Sequence, residues 1–214
     1  MIKTTCLMAL VAAISTYGNP PEPQKPAAAP PAAVEPAKPA APDKGIAEGP
    51  KDKSGSQLQL TGITFVVPAG WESQQIQPGA MAPKAVYQIP AQKTGDEVGI
   101  IRITHYPEMK GKDDMNIDRW ISQVAKADGQ PAARADAKIE KTETGNIRLT
   151  TVDVTGSVKM TMRDTGKPDH RMIAAIVDHP KGPHFIVAAG PAAAMKTWEA
   201  DILKFLKSAQ VTDK

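Results

Sequence analysis

Apolar residues mark the middle of this chain's fold at residues 171–208, which read "RMIAAIVDH", a tight "PKGP", "HFIVAAG" and then "PAAAMKTWEADILKFLKS". Two apolar runs of strand length parted by a Pro/Gly turn predict a central β-hairpin, and the Pro-started run behind them predicts a C-terminal helix. Residues 172–177 and 185–189 are apolar on consecutive positions. That pattern belongs to strands covered on both faces, so helices are expected on both sides of the sheet. In the last helix Met195, Trp198, Ile202 and Phe205 share a stripe, with Lys196, Glu199, Lys204 and Lys207 facing outward.

Upstream, Ile63, Phe65 and Val67 alternate as in a first strand, and Pro68, Ala69 and Gly70 turn the chain before Trp71. Residues 85–90 ("AVYQIP") predict a second strand. Residues 98–106 ("VGIIRITHY") predict a third, apolar on both parities at Ile100 and Ile101 and therefore interior. Ile117, Trp120, Ile121 and Val124 then recur at helical spacing, with Asp114 or Asn116 as N-cap and Gly129 as stop. Burying four such side chains contributes roughly 6–12 kcal/mol. That is close to the entropic cost of ordering a helix of this length, so the helix forms only docked on the sheet. Residues 137–156 predict a hairpin turning at Thr144, Gly145 and Asn146 and returning through 147–154. The apolar parity shifts between Leu149 and Val152, which calls for a bulge or a change of covered face. Short turns need no parallel crossover. The fold class expected is α+β, a single antiparallel sheet of about six strands flanked by helices.

Composition confines this fold to part of the chain. Residues 20–50 are almost wholly Pro, Ala, Lys and Glu and cannot bury enough surface to offset the entropy of ordering. The expected organisation is therefore a leader over 1–18, a Pro/Ala-rich linker over 19–57 and a globular domain over 58–214. The linker favours extended conformers of about 3.1 Å per residue, a reach on the order of 100 Å. Lys3, an apolar run over 6–14 and small residues after it make the layout of a secretory signal peptide, cleaved after Ser15 or Gly18. The run is too short to span a bilayer, so no transmembrane helix is expected in the mature chain. Cys6 is the single cysteine and lies inside this leader, preceded by Lys3, Thr4 and Thr5 rather than by a lipidation signal. A mature domain without thiols suits an oxidising compartment, periplasmic or secreted. The net charge is only +3 and 4% of residues are aromatic, which argues against a nucleic-acid surface.

Several of these segments carry a family likeness. "FVVPAGW", "NIDRWISQ", "MIAAIVDHPKGPHFIVAAGP" and "FLKS" are similar to segments of uncharacterised exported bacterial proteins of the PsbP-like α/β/α sandwich type. That is the fold of the photosystem II extrinsic protein and of a Ran-binding nuclear import factor. The resemblance covers most of 58–208 and implies a non-enzymatic accessory or partner-binding role. It implies no photosynthetic role. The loop before "NIDRW" is usually richer in glycine in that family, whereas here it holds only Gly111.

Candidate chemistry is sparse. Asn116, Arg119, Trp120 and Gln123 make one polar and aromatic cluster, Arg119 and Gln123 being i, i+4, and are the expected binding residues for a protein partner in the envelope. The competing reading is a helix cap at Asn116 with Arg119 and Gln123 tying down loops. Asp113, Asp114, Asn116 and Asp118 crowd together, but a calcium loop begun at Asp114 needs Gly sixth and Glu twelfth, where Arg119 and Ala125 stand. His179 and His184 flank the hairpin turn and are expected in solvent; with His105 and His170 they show no zinc pattern. No nucleophile elbow, P-loop or dinucleotide fingerprint is present. No cofactor, metal or catalytic residue is expected. A structural, wall-tethered component is the alternative role, and a hydrolase on the same scaffold the more distant one.

Overall fold

The computed structural model describes residues 55–79, 81–91, 93–160 and 165–212. Contacts divide the chain into Met1–Ile46 and Ala47–Lys214, and every described residue belongs to the second unit. The expected leader and residues 19–54 of the expected linker lie outside the described residues.

Among the described residues, eleven strands form two sheets. Strands β1 (Gln57–Leu60), β2 (Ile63–Val66) and β11 (Gln210–Val211) make a three-stranded sheet in the order β1-β2-β11. The larger sheet is built from β3 (Glu72–Ser73), β4 (Ala85–Ile89), β5 (Gly99–His105), β6 (Val124–Ala125), β7 (Lys138–Thr144), β8 (Ile147–Val158), β9 (Lys167–Val177) and β10 (His184–Pro191). Its order is β3-β4-β5-β10-β9-β8-β6, with β7 also paired to β8. Every strand pairing among the described residues is antiparallel. The expectation of one sheet of about six strands is therefore corrected to two sheets of three and eight strands. The first predicted strand, Ile63 to Val67, leaves the main platform to pair with β1 and with the chain's end.

The central hairpin lies where its apolar runs place it. Strand β10 is flanked by β5 and β9, with Ile186 opposite both Ile103 and Ala175. Residues 172–177 are all buried, and their alternation divides them between two cores. Ile173, Ala175 and Val177 join Ile101, Ile103, Ile186, Phe65, Ile202 and Phe205 on one face. Met172, Ala174 and Ile176 join Val152, Phe185, Ile117 and Trp120 on the other. Helix α1 (Asp113–Ser122) covers the second face. Helices α2 (Ala192–Thr197) and α3 (Glu199–Lys207), together with the small sheet, cover the first. Phe65 stacks on Phe205 at 5.0 Å and Trp71 tilts against Phe205 at 5.3 Å, contacts of about 0.5–1.5 kcal/mol each beyond their area. Where β5 passes β10, a Cβ added to Gly190 would stand 2.7 Å from the Gly99 Cα, so only glycine fits.

Local details depart from expectation in instructive ways. The terminal helix is two helices, broken at Trp198 with ψ near 5°. The indole there is half-buried and donates from Nε1 to the Pro90 carbonyl at 3.0 Å. Helix α1 starts earlier than expected: its N-cap is Lys112, with no side-chain cap, and neither Asp114 nor Asn116 fills that role. It also stops seven residues before Gly129, which instead takes φ +82° in a turn closed by Lys126 N–H donating to the Gln130 carbonyl at 2.8 Å. Val124 is thereby freed to pair with Val158 as strand. The parity change in β8 is a change of covered face: Leu149 packs on the first core and Val152 on the second while the β7 pairing runs unbroken. The register break comes later, between Gly156 and Val158.

Candidate functional site

Helix α1 separates the four residues expected to bind a partner. Trp120 is 2% exposed and meets Phe185 edge to face at 6.0 Å, so it is core. Asn116 is 1% exposed. Its Nδ2 donates to the Lys112 carbonyl at 2.9 Å, and its Oδ1 accepts from Arg119 Nη2 at 3.1 Å. Arg119 lies on the solvent side with its guanidinium held from below. Gln123 is the C-cap, its backbone carbonyl accepting from Lys159 N–H at 2.9 Å. Two of the four point inward, and Arg119 and Gln123 remain at the surface. One turn before Arg119 stands Met115, 53% exposed. The neighbouring acidic residues clamp Arg134, which pairs with Asp118 at 2.5 Å and Asp114 at 2.9 Å. Hydrogen bonding from Arg134 holds the Asp118 carboxyl below the usual carboxylate range.

A second cluster gathers three histidines, among them His179 and His184, whose place beside the hairpin turn allowed them to approach. His105 closes β5, His184 opens β10 directly opposite it, and His179 lies in the connection between β9 and β10. His105 and His184 stack face to face at 4.4 Å and 19°, and His179 meets His184 edge-on at 5.9 Å. His179 is 2% exposed and His184 fully buried. The expectation that these turn histidines sit in solvent is thus overturned. The physical reason is alternation: Ile101, Ile103 and His105 share one face of β5, Ala188, Ile186 and His184 one face of β10, and Val177 and His179 continue the row of β9. The three imidazoles finish rows of the first core.

Hydrogen bonds fix two of the rings. His105 Nε2 donates to the Lys181 carbonyl at 3.2 Å, and His179 Nδ1 accepts from Lys181 N–H at 3.2 Å. Neither ring nitrogen of His184 has a hydrogen-bond partner among the described residues. Burial, with His105 and His179 beside it, pushes its pKa down to about 3, so it is neutral at pH 7. Lone pairs lie in the ring plane, and parallel rings aim them side by side rather than at a common point. Consistently, no group of three or more His, Cys, Asp or Glu among the described residues is arranged to hold a metal ion. The fourth histidine, His170, lies elsewhere, donating from Nδ1 to the Pro168 carbonyl at 2.7 Å with Nε2 3.5 Å from Glu97. Among the described residues no helix is long and apolar enough to cross a membrane.

No family model matches the chain, and no curated protein matches it. Among solved structures, it is similar to the solution structure of cyanobacterial PsbP (CyanoP) from Synechocystis sp. PCC 6803. The identity is 15% and the TM-score 0.49, over 78% of this chain and 98% of that one. It is also similar to PA94, a protein of unknown function from Pseudomonas aeruginosa, at 9% identity and TM-score 0.44, over 75% of this chain and 99% of that one.

Proposed function

We propose that this chain is an exported, non-catalytic accessory or protein-binding domain of the bacterial cell envelope, periplasmic or secreted, that meets its partner through the outer face of α1. The observation that carries this reading is the exposed Arg119 guanidinium held by the buried Asn116 carboxamide, with Met115 one turn away. A cation whose orientation is set in advance loses less freedom on pairing with a carboxylate, and an exposed methionine supplies adaptable apolar contact beside it. The partner chemistry is a carboxylate next to an apolar side chain. Lys3 and the apolar run over 6–14 support export, and the Pro/Ala-rich residues that follow support a spacer between leader and domain.

Site-specific photocrosslinking in cells tests it. A crosslinking residue at position 115 should trap a discrete adduct that Arg119→Ala removes, while the same residue at the exposed Lys141 of β7 should not. Adducts equally abundant from both positions, or wall material alone from both, would reject the α1 face and favour a wall-tethered structural component.

A further inference from the structure

The stacked rings of His105 and His184 meet His179 within residues 178–183, the connection between β9 and β10. That turn is fastened from several sides. Lys110 Nζ donates to the Pro180 carbonyl at 3.2 Å, Gly182 N–H donates to the His179 carbonyl at 2.9 Å, and Arg148 pairs with Asp178 at 2.6 Å. Gly182 has φ +108°, and a Cβ there would lie 2.4 Å from the Pro107 Cα. The turn is therefore pressed against the 3-10 turn Pro107–Met109 that follows β5.

The fastening at His179 needs an uncharged ring, whereas His105 Nε2–H can donate to the Lys181 carbonyl in either state. The Lys181 N–H requires a bare lone pair on His179 Nδ1; a proton there would set N–H against N–H. His184 has no acceptor within reach for an added proton, and its two ring neighbours are histidines. The other charged groups on the surrounding elements are Lys110, Lys181 and Glu108 on the two turns and the Asp178–Arg148 pair at the end of β8. Lys110 and Lys181 are cations and Glu108 the one carboxylate on these two turns, so charging the stack adds like charge to a crowded place.

We infer that the His105–His184–His179 stack is an acid-sensitive latch: neutral, it holds residues 178–183 on the end of the sheet, and protonation releases that turn while the sheet stays folded. Once released, the His184 imidazole escapes the burial that holds its proton affinity down and regains the ordinary value of 6.5. The latch therefore loosens as pH falls below that value.

Amide hydrogen exchange by NMR on the domain as it folds in the full chain tests this. Protection of the Lys181 and Gly182 amides, corrected for intrinsic exchange, should fall up to roughly tenfold per pH unit between pH 6.5 and 5 for each proton taken up. The Ile103 and Ala175 amides should keep theirs. His184→Leu and, separately, His105→Leu should flatten the response. Protection of the turn that stays level across this range in the unsubstituted protein overturns the inference, and so does a His184→Leu protein with an undiminished pH response. Should the variants fail to fold, the exchange of the unsubstituted protein decides alone.

Discussion

Asn116 is a buried carboxamide with a donor and an acceptor both in use, and its worth follows from what its loss would strand. Asn116→Ala removes the acceptor of the Arg119 guanidinium and leaves the Lys112 carbonyl with only the backbone N–H of residue 116. The expected destabilisation is about 1–3 kcal/mol by urea unfolding. Trp120→Ala empties a site wedged between α1 and Phe185, and the expected loss is larger, about 3–5 kcal/mol. That ordering separates a core tryptophan from a recognition tryptophan, whose removal leaves stability nearly unchanged. Gly182→Ala forces a side chain into left-handed backbone and against Pro107, and a cost of about 1–3 kcal/mol or more is expected in the same measurement. At this scale the sequence was legible wherever alternation was followed to its end. One further step along Ile101 and Ile103 reaches His105, and one further step from Ile186 reaches His184. Stopping each row at its last apolar residue left the histidines in the turn. The pairing of Arg119 with Asn116 was within reach, since i, i+3 neighbours meet on a helix, but the depth at which Asn116 lies is set by the sheet beneath.

Elements are joined here by a few charged clasps. Arg171 on β9 grips Asp153 on β8 through two hydrogen bonds, of 2.8 and 2.5 Å, and reaches Glu199 on α3 at 2.8 Å. The Arg171 hydrogen bond is the main cause that lowers the Glu199 pKa. A lowered folded value means that the unfolded chain binds the proton first. The contribution is therefore present above about pH 4.5 and is lost as pH falls through the folded value. Arg171→Met should reduce stability at pH 7 and make the decline below pH 4.5 shallower, both read from denaturant midpoints. Long elements were the legible ones: β4, β5, β7, β8, β9, β10 and α1 all carry runs whose period shows in the sequence. Strands β3, β6 and β11 have two residues each, too few for any period. Their pairing is imposed by neighbours far along the chain. The break at Trp198 is likewise tertiary, since the indole reaches Pro90 instead of continuing the stripe.

For the whole molecule, the buried and unpaired His184 ties global stability to pH in a different window. Its folded value is lowered from 6.5 to about 3. Between those values the unfolded chain holds a proton that the folded chain refuses, so stability falls as pH drops through this range. The slope cannot exceed about 1.4 kcal/mol per pH unit for one group. Urea midpoints should therefore decline from pH 7 to pH 5, where carboxylates such as Glu199 still contribute fully. His184→Leu should remove this part of the decline and raise stability at pH 5, because an apolar group there needs no partner.

The position of β10 has one more consequence, for the order in which the chain can fold. Strand β5 has no neighbour on its inner side until β10 arrives, and β10 is made only after β6, β7, β8 and β9. Pairings so distant in sequence must bear the entropy of closing a long loop before any contact offsets it. A ribosome that has finished β3, β4 and β5 has therefore produced half a platform with nothing to close against. The platform stays open at β5 until β10 has emerged, so the nascent chain exposes an unpaired strand edge for as long as β6 to β9 are being made.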